Sequence, residues 1–132
     1  MSVTANKALV AQIFEELAAG NHRALLSRTA ENCRWTVTGS CPVSGIYRSR
    51  QEFYEKALKA ITALLTARVR PTVKQILGEG DRVVLEWRGE STAKSGIPYN
   101  NEYCWILTIL DGEITEGIIY SDTALVSRLL EN

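Results

Sequence analysis

The sequence predicts an α+β fold in which helices pack against one side of a curved antiparallel sheet. Three observations predict it. Apolar residues recur at helical spacing through much of the first half, turn residues divide the second half into alternating β-rich runs, and a helical pattern returns at the end. Strands joined by short turns form a meander, and the helices on either side of it collect on one face of the sheet.

Two helices are predicted before the first strand. The first has Asn6 as a candidate cap and ends at Gly20, and Asn21 caps a short second helix, His22–Ser27. The sequence has no His, Cys or carboxylate at ligand spacing near its only histidine, His22, so we read it as a surface residue and not a metal ligand. The buried face of the first helix consists of Leu9, Val10, Ile13, Phe14 and Leu17.

A strand, an irregular loop and a third helix follow. The strand, Asn32–Thr38, carries Trp35, and glycine and proline residues break the loop after it. Ser49 and Glu52 form a capping box that begins the third helix. That helix has a broad apolar face, which must cover a large area of sheet: Phe53, Tyr54, Ala57, Leu58, Ile61, Leu64 and Leu65.

The second half predicts an antiparallel meander and a last helix. Val69–Leu77 and Arg82–Thr92 are strands joined by a glycine-rich turn. The stretch Tyr99–Asp122 then holds two long strands that meet at Asp111-Gly112, a dipeptide typical of tight hairpins. A helix over Thr123–Leu130 completes the predicted elements.

The register of this last hairpin has two solutions, which place Asp122 on opposite faces. With a loop of Asp111 and Gly112 alone, Tyr103 shares a face with Tyr120 and Asp122. With a three-residue loop and a bulge at Gly112, the register slips by one residue. The second register groups Tyr103 and Trp105 with Gly117, Ile119 and Ser121.

In either register the long strand divides its side chains in the same way. Asn101, Tyr103 and Trp105 lie on one face, and Glu102 and Cys104 lie on the other. Aromatic bulk favours the first set as the wall of an apolar pocket with a few polar groups.

Composition and charge limit the partners. A chain of 132 residues with 45% hydrophobic and 23% charged residues is typical of one globular domain, residues 1–132. The net charge is +0, so we expect neither nucleic acid nor a membrane as a partner. The sequence shows no bilayer-spanning apolar run and no signal-peptide pattern. Its three cysteines cannot all pair, which indicates reduced thiols and a cytoplasmic location.

The order of the elements and six short motifs resemble one family. The motifs are WTVTG, GIYRSRQEF, VVLEWRGE, NEYCW, LDGEI and YSDTAL. Over about Lys7 to Leu130 they resemble the SnoaL-like branch of the ketosteroid isomerase and nuclear transport factor superfamily. The resemblance implies a cone-shaped, cystatin-like fold, in which a bent sheet wraps the long helix around an apolar pocket, and homodimers formed through the outer sheet face. Members include isomerases, polyketide cyclases, epoxide hydrolases and non-catalytic binders, so the fold does not fix the function.

The sequence lacks a complete set of the catalytic residues that the resemblance implies for the isomerases or the epoxide hydrolases. The tyrosine that isomerases carry on the first helix falls near Phe14, and their basic carboxylate falls in Trp35–Thr38. Their second acid falls near Glu102 or Tyr103. Of the arginine–aspartate pair of epoxide hydrolases, only Arg82 is matched. Steroid isomerisation and limonene-type epoxide opening are therefore both disfavoured.

The remaining candidates come from the last hairpin and the aromatic residues. Asp122, Glu102 and Tyr103 are the candidate catalytic residues, although we prefer a helix cap for Asp122 and a position on the surface or at a dimer face for Glu102. We expect neither a metal nor an organic cofactor. The candidate substrate-binding residues, which equally suit a filled core, are Trp35, Tyr54, Trp87, Asn101, Trp105 and Tyr120.

Two functions are open at this stage. The first is an isomerase or cyclase that moves protons on a small hydrophobic carbonyl compound without a cofactor, and it requires a carboxylate of raised pKa inside the cone. The second is a non-catalytic binder of a small apolar molecule, or a dimerisation module. We prefer the first. A homodimer is expected separately, because Cys104, Ile106 and Thr108 would otherwise leave an apolar row uncovered.

Overall fold

The computed structural model describes residues 2–131 and has one six-stranded sheet with helices. The strands are β1 (Thr29–Val37), β2 (Gly45–Tyr47), β3 (Arg70–Glu79), β4 (Arg82–Thr92), β5 (Pro98–Leu110) and β6 (Glu113–Ser121). The helices are α1 (Val3–Ala18), α2 (Ala24–Ser27), α3 (Arg50–Phe53), a π-helical segment (Tyr54–Leu58), α4 (Lys59–Thr62) and α5 (Thr123–Glu131). The α+β fold class is thus confirmed.

The sheet has the order β2-β1-β6-β5-β4-β3 and is antiparallel except at one pair. Strands β1 and β6 run parallel, an arrangement that the long connection between them allows. Strand β2 was not predicted. It lies in the segment predicted as a loop and pairs with β1, where Tyr47 is opposite Trp35.

The helix starts correct one prediction and confirm another. Ser2, not Asn6, caps α1, since the Ser2 hydroxyl accepts a hydrogen bond from the Ala5 amide at 3.1 Å. Asn6 lies inside the helix and is buried. At the start of α3 the predicted cap is present, because the Ser49 hydroxyl accepts from the Glu52 amide at 3.0 Å.

The last hairpin combines features of both predicted registers. Its loop is the two-residue type, with positive φ at Asp111 (51°) and Gly112 (78°) and with Leu110 opposite Glu113. A bulge at Thr115 then shifts the pairing by one residue. Beyond the bulge the pairs are Leu107 with Gly117, Trp105 with Ile119, and Tyr103 with Ser121.

The core lies between the helices and the inner face of the sheet. Phe14 of α1 makes edge contacts with Trp87 and Trp105, and Trp35 stacks on Phe53 of α3 with ring centroids 4.4 Å apart. The Trp35 ring also lies against Gly117 of the neighbouring strand, where a Cβ atom would collide with it. Large aromatic rings therefore set the spacing between the helices and the sheet.

Candidate small-molecule site

An apolar cavity of about 200 Å³ lies inside the fold. Its walls come from α2, the α3–α4 helical run and the inner face of the sheet. Three exposed residues of the lining, His22, Tyr54 and Arg68, mark where it reaches the surface. Most of the wall is aliphatic or aromatic, as in Leu25, Val37, Val43, Phe53, Leu58 and Ile61.

The π-helical segment forms part of this wall. It contributes Tyr54, Ala57 and Leu58, all of which belong to the apolar face predicted for the third helix. A π turn takes one more residue than an α turn and is often found at functional sites.

The opposite wall is aromatic and comes from β4 and β5. Tyr103 stacks on Trp87 with centroids 4.3 Å apart and an interplanar angle of 15°. Trp105 meets Trp87 edge to face at 5.3 Å. These three residues and Tyr54, all sequence candidates, line the cavity together.

A chain of hydrogen bonds runs behind the aromatic wall. The Asn101 amide nitrogen donates to the Asp122 carbonyl at 3.2 Å and to the Tyr99 hydroxyl at 3.3 Å, while its oxygen accepts from the Asp122 amide at 3.0 Å. The hydroxyl groups of Tyr99 and Tyr103 are 3.1 Å apart. Asn101 therefore fixes the end of β6 and the first of the two phenols.

The order of these bonds leaves one phenol proton for the cavity. Either hydroxyl can donate in the bond between Tyr99 and Tyr103. Because Asn101 already donates to Tyr99 and Tyr99 is fully buried, we assign the Tyr99 proton to the oxygen of Tyr103. In this assignment the hydroxyl proton of Tyr103, a residue of the cavity lining, is free to donate. Hydroxyl hydrogens are assigned from this network, since each group needs one acceptor.

Burial keeps both phenols protonated. It raises the pKa of Tyr99 and raises the pKa of Tyr103 well above its ordinary value of 10.0, and the nearby Tyr99 adds to the second effect. A phenol of raised pKa is a hydrogen-bond donor at neutral pH and not a base. The pair can polarise an oxygen atom but cannot remove a proton.

The predicted carboxylates lie outside the cavity. Glu102 is exposed on the outer sheet face, bonded to Lys74 at 2.9 Å and Arg88 at 3.3 Å. The Lys74 hydrogen bond lowers its pKa, the opposite of the raised value that an internal acid requires. Asp122 is exposed and caps α5, since its side chain accepts from the Leu125 amide at 3.3 Å. No carboxylate of residues 2–131 belongs to the cavity lining.

Three other candidates also lie elsewhere. Tyr120 is 47% exposed and pairs with Cys104 on the outer face, which argues against a role in substrate binding. Trp35 belongs to the core beside the cavity and not to its lining. Asn101 is not a lining residue; it lies behind the cavity wall, where its side chain donates a hydrogen bond to the Tyr99 hydroxyl.

Tyr99 and His22 are two of the lining residues that the predicted set did not include. Tyr99 precedes Asn101 by two positions, so the alternation that grouped Asn101 with Tyr103 already placed it on the same face. His22 was read as a surface residue, and it is exposed, yet it also lines the cavity. Its sequence neighbours gave no signal, because most of the cavity lining comes from distant segments.

The described part of the chain has neither a metal-binding cluster nor a membrane-spanning helix. Within residues 2–131 no group of three or more His, Cys, Asp or Glu side chains is arranged to hold a metal ion. No helix of the described chain is long and apolar enough to cross a membrane.

Comparison with known families decides the relationship. The family model described as SnoaL-like domain matches residues 10–117. The chain belongs to the SnoaL-like domain family. A search of curated proteins gave no match.

Solved structures extend the SnoaL-like fold over nearly the whole chain. An NTF2-like protein of unknown function from Burkholderia pseudomallei has a TM-score of 0.81 and 18% identity, with 100% of both chains covered. A putative SnoaL-like polyketide cyclase from Jannaschia sp. CCS1 has a TM-score of 0.75 and 19% identity over 96% of this chain and 92% of that one. TerC, co-crystallised with polyporic acid, has a TM-score of 0.76 and 20% identity over 95% and 97%. At these identities the likeness shows the fold alone.

Proposed function

We propose that this SnoaL-like protein binds a small hydrophobic carbonyl compound in its cavity, with the Tyr103 hydroxyl donating a hydrogen bond to the carbonyl oxygen. The observation that carries the proposal is the phenol pair of Tyr99 and Tyr103 in a wall that is mostly aliphatic and aromatic. Such a site recognises apolar shape by its walls and orientation by its few polar groups.

The size of the cavity limits the ligand. An engineered apolar cavity of about 150 Å³ holds benzene, so a cavity of about 200 Å³ suits a compound of one or two rings. Larger substituents would extend through the opening marked by His22, Tyr54 and Arg68. The structural relatives support a ligand-binding role, since one is a putative polyketide cyclase and another was co-crystallised with polyporic acid.

The test compares 1-tetralone with tetralin, which has the same ring skeleton without the carbonyl oxygen. Binding is followed by tryptophan fluorescence and by thermal unfolding. A ligand at about 100 times its Kd adds about 2.7 kcal/mol, which for this length raises Tm by about 8–13 °C. We expect 1-tetralone to bind more tightly than tetralin.

The variant Tyr103→Phe tests the assigned donor. It should weaken 1-tetralone about 2- to 10-fold, the value of one neutral hydrogen bond, and leave tetralin unchanged. Tyr120→Phe is the matched control, because Tyr120 is an exposed tyrosine on the outer face. Equal affinity of the two compounds, with no effect of Tyr103→Phe, would contradict the proposal.

A second candidate function is cofactor-free proton transfer on the same ligand, as in an isomerase or cyclase. The observation that favours it is His22, which lines the cavity and belongs to the residue type that most often changes charge near neutral pH. The imidazole would take a proton from the carbon beside the carbonyl. The electron pair would move to the carbonyl oxygen, which Tyr103 stabilises by its hydrogen bond.

Deuterium exchange separates this catalytic function from binding alone. In deuterated buffer, NMR follows loss of the protons beside the carbonyl of 1-tetralone, and catalysis should raise that rate above the buffer rate. His22→Gln should abolish the increase while the Kd stays the same. Glu102→Gln and Asp122→Asn serve as controls, since both carboxylates lie outside the cavity. An exchange rate equal to that in buffer would leave the binding function and remove the catalytic one.

We further propose a homodimer through the outer sheet face. An outer row with paired neighbours crosses all six strands and is apolar except at Thr36: Leu77, Val84, Ile106, Ile118, Thr36 and Ile46. Its two ends are exposed, Leu77 at 54% and Ile46 at 51%. A second copy packed against this row would remove its apolar side chains from water. Sedimentation should show a dimer at micromolar protein, and a monomer would contradict the proposed dimer.

The cytoplasmic location stays a prediction, which cell fractionation tests.

A further inference from the structure

Arg68 brings a permanent positive charge to the cavity lining. Among the lining residues of the described chain there is no other Lys or Arg and no Asp or Glu. Arg68 is exposed and lies, with His22 and Tyr54, where the cavity reaches the surface. The lining at the opening therefore carries positive charge and no negative charge.

The Arg68 guanidinium has no ionic partner within residues 2–131. Other arginines have one, since Arg28 pairs with Glu16 at 3.5 Å and Arg88 pairs with Glu102 at 3.3 Å. An unpaired arginine on an ordinary surface is simply hydrated. At the edge of an apolar cavity it is available to a ligand, and the apolar wall beside it weakens the screening by water.

The backbone before Arg68 is tied to the end of β4. The Ala67 carbonyl accepts a hydrogen bond from the Ser91 hydroxyl at 2.7 Å, and the Thr66 amide donates to the Thr92 carbonyl at 2.9 Å. Arg68 therefore starts from a fixed point of the fold, although it lies outside the helices and strands.

The residue after Arg68 reaches the aromatic wall. Val69 lines the cavity, and a Cβ atom at Gly89 would meet the side chains of Val69, Trp87 and Tyr103, so these three converge there. Consecutive Cα atoms are about 3.8 Å apart, which places the start of the Arg68 side chain one residue from this point. One small ring system can therefore contact both Tyr103 and Arg68.

We propose that the ligand is a keto acid, a small ring ketone whose carboxylate binds the Arg68 guanidinium at the opening while its carbonyl oxygen accepts from Tyr103. This inference rests on the proposed binding function and names the class of compound. A guanidinium is a planar fork that matches a carboxylate with two parallel hydrogen bonds. The lining has no acidic side chain that would repel the anion.

The test compares carboxylates of 1-tetralone with their carboxamides, on the full chain. The substituent is placed at ring position 6 or 7, away from the carbonyl group, and the amide has nearly the same shape without the charge. We expect at least one carboxylate to bind about 3- to 10-fold more tightly than its amide, the difference between a charge-assisted and a neutral hydrogen bond. High salt should reduce this preference.

The variant Arg68→Met removes the charge and keeps an apolar stem. It should abolish the preference for the carboxylate over the amide, and Arg68→Lys should keep part of it. Arg70→Met is the matched control, because Arg70 is also exposed, forms no ion pair within residues 2–131 and does not line the cavity. Thermal unfolding of the free variants checks that each is folded.

The outcomes separate this inference from the proposed function. If 1-tetralone binds and Tyr103→Phe weakens it, carboxylates that bind no tighter than their amides overturn the keto-acid inference alone. A preference that survives in Arg68→Met, or that Arg70→Met removes equally, also overturns it. Absence of binding by 1-tetralone, the carboxylates and the amides overturns both. A preference lost in Arg68→Met and kept in Arg70→Met supports the assignment of Arg68.

Discussion

The two faces of β5 differ in how they hold polar groups, although the same thirteen residues supply both. The inner face has Tyr99, Asn101, Tyr103, Trp105 and Leu107, four of them buried. The outer face has Asn100, Glu102, Cys104, Ile106 and Thr108, none of them buried in the single chain. Inside, the polar groups are neutral and bond to one another; outside, the charge of Glu102 is shared with Lys74 and Arg88 in solvent.

This difference indicates where substitutions matter. A buried hydrogen bond is costly to break, because the group left behind has no water to replace its partner. An exposed ion pair contributes little, because water and salt screen it. Adjacent residues of one strand should therefore give very different results.

The largest effect is expected from Leu107→Ala compared with Ile106→Ala. Leu107 is fully buried, so its truncation should lower the free energy of unfolding by about 2–5 kcal/mol. Ile106 is partly exposed and should cost less than half as much. Urea unfolding at two protein concentrations measures both. Equal losses that depend on concentration would mean that a second copy buries Ile106.

Asn101→Ala compared with Asn100→Ala tests the inner hydrogen-bond network. Removing Asn101 leaves the Asp122 backbone and the Tyr99 hydroxyl without their partner, and we expect a loss of about 1–3 kcal/mol. Asn100 is exposed, and its substitution should have little effect. Chemical denaturation measures both variants. Similar stabilities would show that water replaces Asn101 without cost.

The alkaline limb of stability should depend on the inner phenols. The folded chain holds the Tyr103 proton more tightly than the unfolded chain, so this contribution is complete below about pH 10 and is lost as the pH rises above it. Tyr103→Phe should flatten the fall in stability above pH 10, and Tyr120→Phe should not. Denaturation midpoints between neutral pH and pH 11 provide the measurement; identical slopes in both variants would contradict the burial argument.

The smallest effect is expected at the acid limb, from Glu102→Gln. Its pKa is lowered in the folded chain, so its contribution is present above the ordinary value of 4.5 and is lost as the pH falls below it. The wild type and the variant should therefore differ slightly at pH 6 and converge at low pH. High salt should remove the difference. A difference that grows toward low pH would be inconsistent with this ion pair.

Several elements could be predicted because their signals are local. The alternation of β5 placed Asn101, Tyr103 and Trp105 on one face, and the Asp111-Gly112 turn and the Ser49 cap follow from backbone preferences of those residue types. The start of α1 was misplaced, since Ser2 and Asn6 are both good caps and the choice depends on which one is buried by packing.

Sequence alone thus determined the fold class, the family and the division of β5 into two faces. The tertiary structure decided the rest. The Thr115 bulge set which residues of β6 stand opposite Tyr103 and Trp105, and no residue type marks a bulge reliably. Tyr120 proved to be on the outer face, and His22, in the turn before α2, joined the cavity lining. The physical reason is that a cavity is made by elements far apart in the chain, whose separation depends on how all their large side chains pack.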